Sequence, residues 1–285
     1  MIDFIWREFV KKRLKLFVRT LIISFTKRIN GPNVYALIVK TENGLFVVDP
    51  EDIEIGWRLR RSGNYGIDEI ERLKPHIKSC SRVLIVGAHI GTLAIPISKL
   101  CKDVVAIEAN PNTYDHLTKN IALNAISNCH AINIAANNKE ESIKFLLSRT
   151  NPGGSKRIPK IKKYMYYRDK PKEISVKAYR LDEYLDNTEF DVVVMDIEGS
   201  EYFALQGMQE ILSKTKLLAV EFLPHHLRNV SGVTVAQFLS VIAPHFNRLT
   251  IPSKQKIVEA SDFITCLSKM YDSEQGDEGI IFEKV

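Results

Sequence analysis

Four acidic side chains have the types and spacing to do chemistry. Asp196, Glu198 and Glu201 follow the apolar run Phe190 to Met195 in FDVVVMDIEGSEYFALQGM, and Glu108 closes a second run, DVVAIEA. Three carboxylates so close together repel one another and are unusual in an ordinary turn. A carboxylate in such a cluster can serve as a general base only if burial or its neighbours raise its pKa, whereas a histidine such as His225, in Leu223-Pro224-His225-His226, suits neutral pH without tuning. Glu201 also fits a purely structural place, where its charge favours a helix N-terminus.

Glu108 stands 21 residues after Gly87, which opens the turn of RVLIVGAHIG. Gly87 and Gly91 let the backbone turn sharply and approach a ligand. A carboxylate at the end of the following strand can accept hydrogen bonds from both vicinal hydroxyls of a ribose. The glycines alone fit a plain structural turn equally well; their pairing with Glu108 points to a nucleoside.

These residues need strands and helices to place them. Val83 to Val86 show no in/out alternation, which predicts a strand covered on both faces, as in a parallel sheet. A helix is expected over Thr92–Leu100, a second strand over Asp103–Ala109, and a break at Asn110-Pro111 into a helix over Thr113–Asn124. A third strand, His130–Ala136, would end beside an adenine. Phe190–Met195 and Leu217–Phe222 supply the fourth and fifth strands, a helix follows over Val233–Ala243, and Asn247–Ile251 and the terminal GIIFEKV bring the count to seven. In open α/β sheets ligands bind beyond the carboxyl ends of the strands, so Glu108 and the acids after Met195 should face one pocket.

Ahead of this unit, VYALIVK and LFVVD flank Glu42-Asn43-Gly44, a hairpin signal, and Gly66–Lys78 reads as a short helix. The chain is thus expected to divide into a basic amphipathic helix over 1–30, a β extension with a linking helix over 31–79, and the main domain over 80–285. Residues 1–30 hold eight basic side chains against Asp3 and Glu8, 8 − 2 = +6, and this accounts for the whole net charge of +6. On a helical wheel Trp6, Phe9, Phe17 and Leu21 share one broad arc, while Lys11, Lys12, Lys15 and Arg19 share the opposite one. Such a helix can lie on an anionic membrane surface or pack on its own domain.

With 285 residues, 45% of them apolar, the chain has ample material for a core. Its four cysteines stand far apart without Cys-x-x-Cys pairs, so neither a metal site nor a disulfide framework is expected. No run reaches the roughly 18 apolar residues of a membrane span and no secretory cleavage pattern follows the basic start. A cytoplasmic protein, peripheral to the membrane if the first helix binds lipid, is expected.

VLIVGAHIG, VVAIEANP, NPGGS (Asn151 to Ser155), RLDEYL (Arg180 to Leu185) and DIEGSE (Asp196 to Glu201) followed by ALQGM, in this order and spacing, resemble the FkbM family of S-adenosylmethionine-dependent methyltransferases. The similarity covers roughly Arg82 to Phe222, and its D-x-E-G-x-E element is the specific one. It implies a Rossmann-like, seven-stranded class I methyltransferase sheet, S-adenosyl-L-methionine as donor, and O-methylation of a hydroxyl on a sugar, lipid-linked or secondary-metabolite-like acceptor. Donor contacts would fall to Gly87, Ala88, His89, Gly91, Thr92, Glu108, Ala109, Ala136 and Asp196. Asp196 would also position the acceptor, with His225 or Glu198 as base. The chain departs from the family pattern at three positions. Ile85 stands where an acid usually anchors the donor's amino group, His89 where asparagine is usual, and Val194 where a lysine usually lies near the transferring methyl; His89 could meet the donor's carboxylate as imidazolium.

The segment Gly153–Lys172 carries eight basic residues and Tyr164, Tyr166 and Tyr167. It reads as a solvated loop or as the holder of a phosphorylated acceptor. A phosphate-bearing glycan or lipid is favoured over nucleic acid, because the Asp196 cluster would repel a phosphodiester backbone. Two alternatives stay open: a non-catalytic member that uses its first helix for membrane attachment or assembly, and an RNA methyltransferase. Oligomeric state is not legible in the sequence.

Overall fold

The computed structural model describes residues 33–285 together with Val18, Leu21, Phe25, Arg28, Ile29 and Gly31. The basic helix expected over 1–30 lies outside the described residues apart from those few positions. Among the described residues no helix is long and apolar enough to cross a membrane.

Two short strands come first, β1 (Leu37–Lys40) and β2 (Leu45–Val48), paired antiparallel around the Asn43-Gly44 turn. Helices α1 (Ile55–Ser62) and α2 (Ile67–Leu73) follow. The expected hairpin and the second helix are there; α1 was not anticipated, because its apolar face is only Ile55, Trp57 and Leu59 between arginines. The main unit then runs β3 (Arg82–Val86), α3 (Ala94–Ser98), β4 (Asp103–Ile107), α4 (Pro111–Leu123) and β5 (Cys129–Ile132). Asn110 caps α4, its side chain accepting from the backbone N–H of Asn112 and Thr113, with Pro111 preset at the first helical position.

Beyond β5 the chain leaves the main sheet. The third strand expected over His130–Ala136 is broken at Asn133, whose side-chain amide donates to the Glu108 and Ala109 carbonyls instead of extending the ladder. Ala135–Ala136 (β6) belongs to a second sheet with β7 (Glu141–Leu147), β8 (Lys156–Arg157) and β9 (Lys172–Tyr179), in the order β6-β9-β7-β8. The segment expected as a loop over 153–172 therefore begins in a strand and ends in one.

The chain returns through β10 (Val192–Met195), α5 (Glu201–Gln206), β11 (Leu217–Phe222), α6 (Val235–Ser240), β12 (Arg248–Ile251), β13 (Lys256–Glu259), α7 (Phe263–Asp272) and β14 (Asp277–Glu283). The main sheet has the order β13-β12-β14-β11-β10-β3-β4-β5, parallel from β11 to β5 and antiparallel from β14 outward. These are the seven expected strands plus β13, an edge strand with two apolar residues flanked by Lys256 and Glu259, charges that blunt an exposed edge.

Both faces of the parallel strands are covered. Leu84, Val86, Val193 and Met195 pack into one core; Val83, Ile85, Val192 and Val194 pack into the other. Burying each such side chain stabilises the sheet by about 1.5–3 kcal/mol. This double burial is why β3 and β10 read as unbroken apolar runs. The strand order reverses at β3, between β4 and β10, which opens a crevice at the carboxyl ends of those strands. The β1–β2 hairpin is held against α4 by two asparagines of and just after that helix. Asn120 accepts from the Val47 N–H at 2.5 Å and donates to the Ile90 carbonyl at 2.8 Å; Asn124 pairs with both backbone groups of Leu45.

Candidate active site

Gly87 has φ +91°, and a Cβ there would lie 1.8 Å from the Asp196 carbonyl oxygen. The turn after β3 can therefore press directly on the end of β10 only because residue 87 lacks a side chain. Gly91, also at φ +91°, turns inward, where Leu117 and Ile95 close the space a Cβ would need. Between them His89 takes φ +50°, a left-handed conformation in which asparagine, aspartate and histidine are enriched. The residue type at 89 follows from the backbone.

Glu108 ties this turn to β4. Its carboxylate accepts the His89 N–H at 2.8 Å and the Asn110 N–H at 2.8 Å. The Ala109 N–H adds a third donor, and a carboxylate has about four acceptor positions, so one remains. Burial, partly offset by the backbone donors, pushes its pKa up to about 7.

Gly87, Ala88, His89, Thr92, Glu108, Ala109, Ala136, Asp196 and Glu198 line a single cavity of about 360 Å³. Among the residues named from the sequence, Gly91 and His225 are not part of its wall. Gly91 is the packed floor of the turn, and His225 lies beyond it with Nδ1 3.2 Å from the Tyr166 hydroxyl. His89 is not an imidazolium: it is buried, and desolvation with His116 nearby pulls its pKa down to about 3. Neither ring nitrogen has a hydrogen-bond partner among the described residues.

The acids after β10 separate into two roles. Glu201 is buried and accepts from the Ile197 and Gly199 N–H groups at 3.0 and 3.1 Å, locking the turn. Asp196 and Glu198 face the cavity. Glu198 is held at φ +58°, where a non-glycine residue is strained by roughly 1–3 kcal/mol, the sort of strain that collects at functional sites. The surrounding protein and the Glu198, Glu201 and Glu69 carboxylates raise the Asp196 pKa well above its ordinary value, and Lys156 tempers the rise.

Sequence reasoning missed the partners of this cluster. Lys156, buried in β8, forms an ion pair with Glu198. Nε2 of the buried His226 stands 3.3 Å from Glu198 and 3.5 Å from Lys156 Nζ, and its Nδ1 is 2.9 Å from Glu221 at the end of β11. His226, not His225, is thus the histidine packed among the acids. Burial and the Lys156 charge pull its pKa down to about 2, and burial beside three carboxylates raises that of Glu221. Adjacent histidines are hard to tell apart in sequence, although the isolated Lys-Arg after NPGGS was visible. Arg157, which also lines the cavity, lies 4.0 Å from the Phe203 ring centre. No group of three or more metal-ligating side chains occurs among the described residues.

The family profile described as the methyltransferase FkbM domain matches residues 86–243. A curated relative, the probable ribosomal RNA small subunit methyltransferase A of Methanothermobacter thermautotrophicus, is 40% identical over 76 residues, which are 24% of this chain and 28% of that protein. The chain therefore spans little more than a quarter of that relative. Among solved structures, a rRNA methylase from Streptococcus thermophilus is similar with a TM-score of 0.44 at 12% identity, covering 76% of this chain and 95% of that one. A TehB-like SAM-dependent methyltransferase from Corynebacterium glutamicum gives 0.43 at 14% identity, over 80% and 94%.

Proposed function

The chain belongs to the FkbM methyltransferase family, and we propose that it methylates a hydroxyl of a sugar, glycolipid or other secondary-metabolite-like acceptor. Membership implies S-adenosyl-L-methionine as the methyl donor. The observation that carries the reading is the convergence of Gly87, Glu108 and Asp196, from the ends of three strands, on one cavity.

The residues present fit such a donor. Gly87 lines the cavity with bare backbone, Glu108 keeps an acceptor position for a ribose hydroxyl, and Ala109, Ile134 and Ala136 give an apolar wall for a base. When bound, the donor supplies a methyl group already activated on a sulfonium. The chain has then to align the acceptor oxygen and remove its proton. Asp196 is the base in this reading, because it faces the cavity and its raised pKa makes it a better proton acceptor than an ordinary carboxylate. Glu198, fixed by Lys156 and His226, orients the acceptor hydroxyl beside it.

Seven carboxylates line the cavity (Glu54, Glu69, Glu108, Asp196, Glu198, Glu221 and Glu278) against Arg58 and Arg157. That balance favours a neutral hydroxyl at the reacting position and repels a phosphodiester. Phosphate elsewhere on the acceptor would meet the exposed Lys160, Lys162 and Lys163. RNA is the second reading, favoured by Tyr164, 82% exposed beside those lysines and free to stack on a base. Incubating the full chain and Asp196→Asn with methyl-labelled donor and separate glycan, glycolipid and RNA fractions tests both readings. Label in the glycan or glycolipid fraction, lost in the variant, is expected. Label confined to RNA would overturn the acceptor assignment.

A further inference from the structure

A second cavity, of about 680 Å³, lies behind His89 and Pro152, which line both cavities. The turn at Asp49–Asp52, the first turn of α4 and the loop after β7 enclose it. Four buried side-chain polar atoms among the described residues have no hydrogen-bond partner: Nδ1 and Nε2 of His89, Oγ1 of Thr113 and Nε2 of His116. All three residues line this second cavity. Buried polar atoms are paired in the great majority of cases, and leaving one unpaired costs about 1–3 kcal/mol. Each of these atoms is covered in the present arrangement, His89 Nε2 lying beside Gly153, so a ligand that completed them would enter the cavity and turn the side chains towards it.

The chemistry of the wall narrows what that is. Burial lowers the pKa of both histidines, so each is a neutral imidazole with one donor and one acceptor nitrogen. The Thr113 hydroxyl also donates and accepts. Groups that do both are matched best by hydroxyls. The wall carries both signs, Asp49, Glu51 and Asp52 with Arg149 and Lys172, so neither an anion nor a cation meets a field of one opposite sign. Tyr35 adds an aromatic ring that meets His116 edge-on at 5.4 Å, an apolar surface suited to the C–H face of a polyol ring. The volume falls in the range of small-molecule pockets.

We propose that this cavity is a second ligand site, separate from the donor cavity, for a neutral polyhydroxylated molecule, a polyol or a sugar. Entry of the ligand turns the Thr113 hydroxyl and the imidazole edges towards it, completing their hydrogen bonds. The site does not depend on methyl transfer.

Saturation-transfer NMR on the full chain, with glucose, maltose and myo-inositol as probes and glucose 6-phosphate and glucosamine as charged controls, tests the site. At least one neutral probe should receive saturation, with at least fivefold less transfer to both charged controls. Thr113→Val should weaken that signal at least threefold, and His116→Phe should abolish it. Titration of each variant with S-adenosylhomocysteine reports whether the donor cavity is intact. No donor binding to the parent chain, with its sugar binding retained, would sink the methyltransferase reading and leave this one standing. Absence of transfer to every neutral probe, equal transfer in both variants, or stronger binding of glucose 6-phosphate would overturn the proposal.

Discussion

Ile85 and Val194 are register partners on the adjacent parallel strands β3 and β10, and both line the cavity. The two charges that the family pattern places at these positions, an acid and a lysine, would therefore stand side by side. This chain has replaced both with apolar residues, so neither position leaves a lone buried charge. The cation of the site comes instead from Lys156 on β8, a strand of the second sheet, paired with Glu198.

That relationship predicts coupling between the two positions. Ile85→Asp alone should destabilise the fold by about 3 kcal/mol or more, since it buries an uncompensated carboxylate. Adding Val194→Lys should recover at least 1 kcal/mol of the loss, an interaction energy typical of neighbouring sites. Urea unfolding of the four members of the cycle measures it; strict additivity would show that the two side chains do not meet.

Gly87→Ala should be among the most damaging small substitutions in the chain. Its methyl would fall on the Asp196 carbonyl at a backbone angle that L-residues avoid, and a cost above about 3 kcal/mol is expected. Gly279, with open space around its Cβ position, is the control, and Gly279→Ala should stay within about 0.5 kcal/mol. Comparable denaturation midpoints for the two variants would contradict the packing of the turn on β10.

Lys156→Met removes the buried partner of Glu198 and leaves that carboxylate among Asp196, Glu201 and Glu221. A loss of about 3–5 kcal/mol is expected, with most of it restored in Lys156→Met combined with Glu198→Gln. Thermal unfolding of the single and double variants checks this, and a double variant no better than the single would show that the ion pair is incidental.

Much of this arrangement was legible in the sequence. The buried parallel strands appear as unalternated apolar runs, Gly87 and Glu108, paired from their spacing, line one cavity, and Asn110-Pro111 marks the start of α4. The second sheet was not legible. Its strands β7 and β9 alternate charged and apolar residues on a surface, and β8 is two residues long, Lys156 and Arg157, inside a stretch whose composition looks like a solvated loop. Lys156 and His226 reach the acids only through long-range packing, which no local spacing records. The conformation of His89 was equally hidden, because a positive φ follows from how the turn meets Glu108.

The contribution of Glu201 to stability should fall as pH rises through the acidic and neutral range. Burial raises the folded-state pKa of Glu201 from 4.5 to about 7. The protonated form is therefore favoured in the folded chain, a contribution present in full below about 4.5 and lost as pH climbs through 7. Glu201→Gln keeps an acceptor for the Ile197 and Gly199 N–H groups and removes the charge. It should melt higher than the parent at pH 8, by an amount worth on the order of 2–3 kcal/mol, and match it near pH 4. A difference that did not depend on pH would rule out this titration as its source.

The central claim is that a nucleoside-bearing donor is held in the cavity shared by Gly87, Glu108 and Asp196. Isothermal titration of the full chain with S-adenosylmethionine, in parallel with Glu108→Gln, tests it most directly. The account predicts one donor bound per chain and an affinity about 10- to 100-fold weaker in the variant, the worth of a hydrogen bond to a charged acceptor. No heat of binding to the parent chain, or equal affinity in parent and variant, would contradict it.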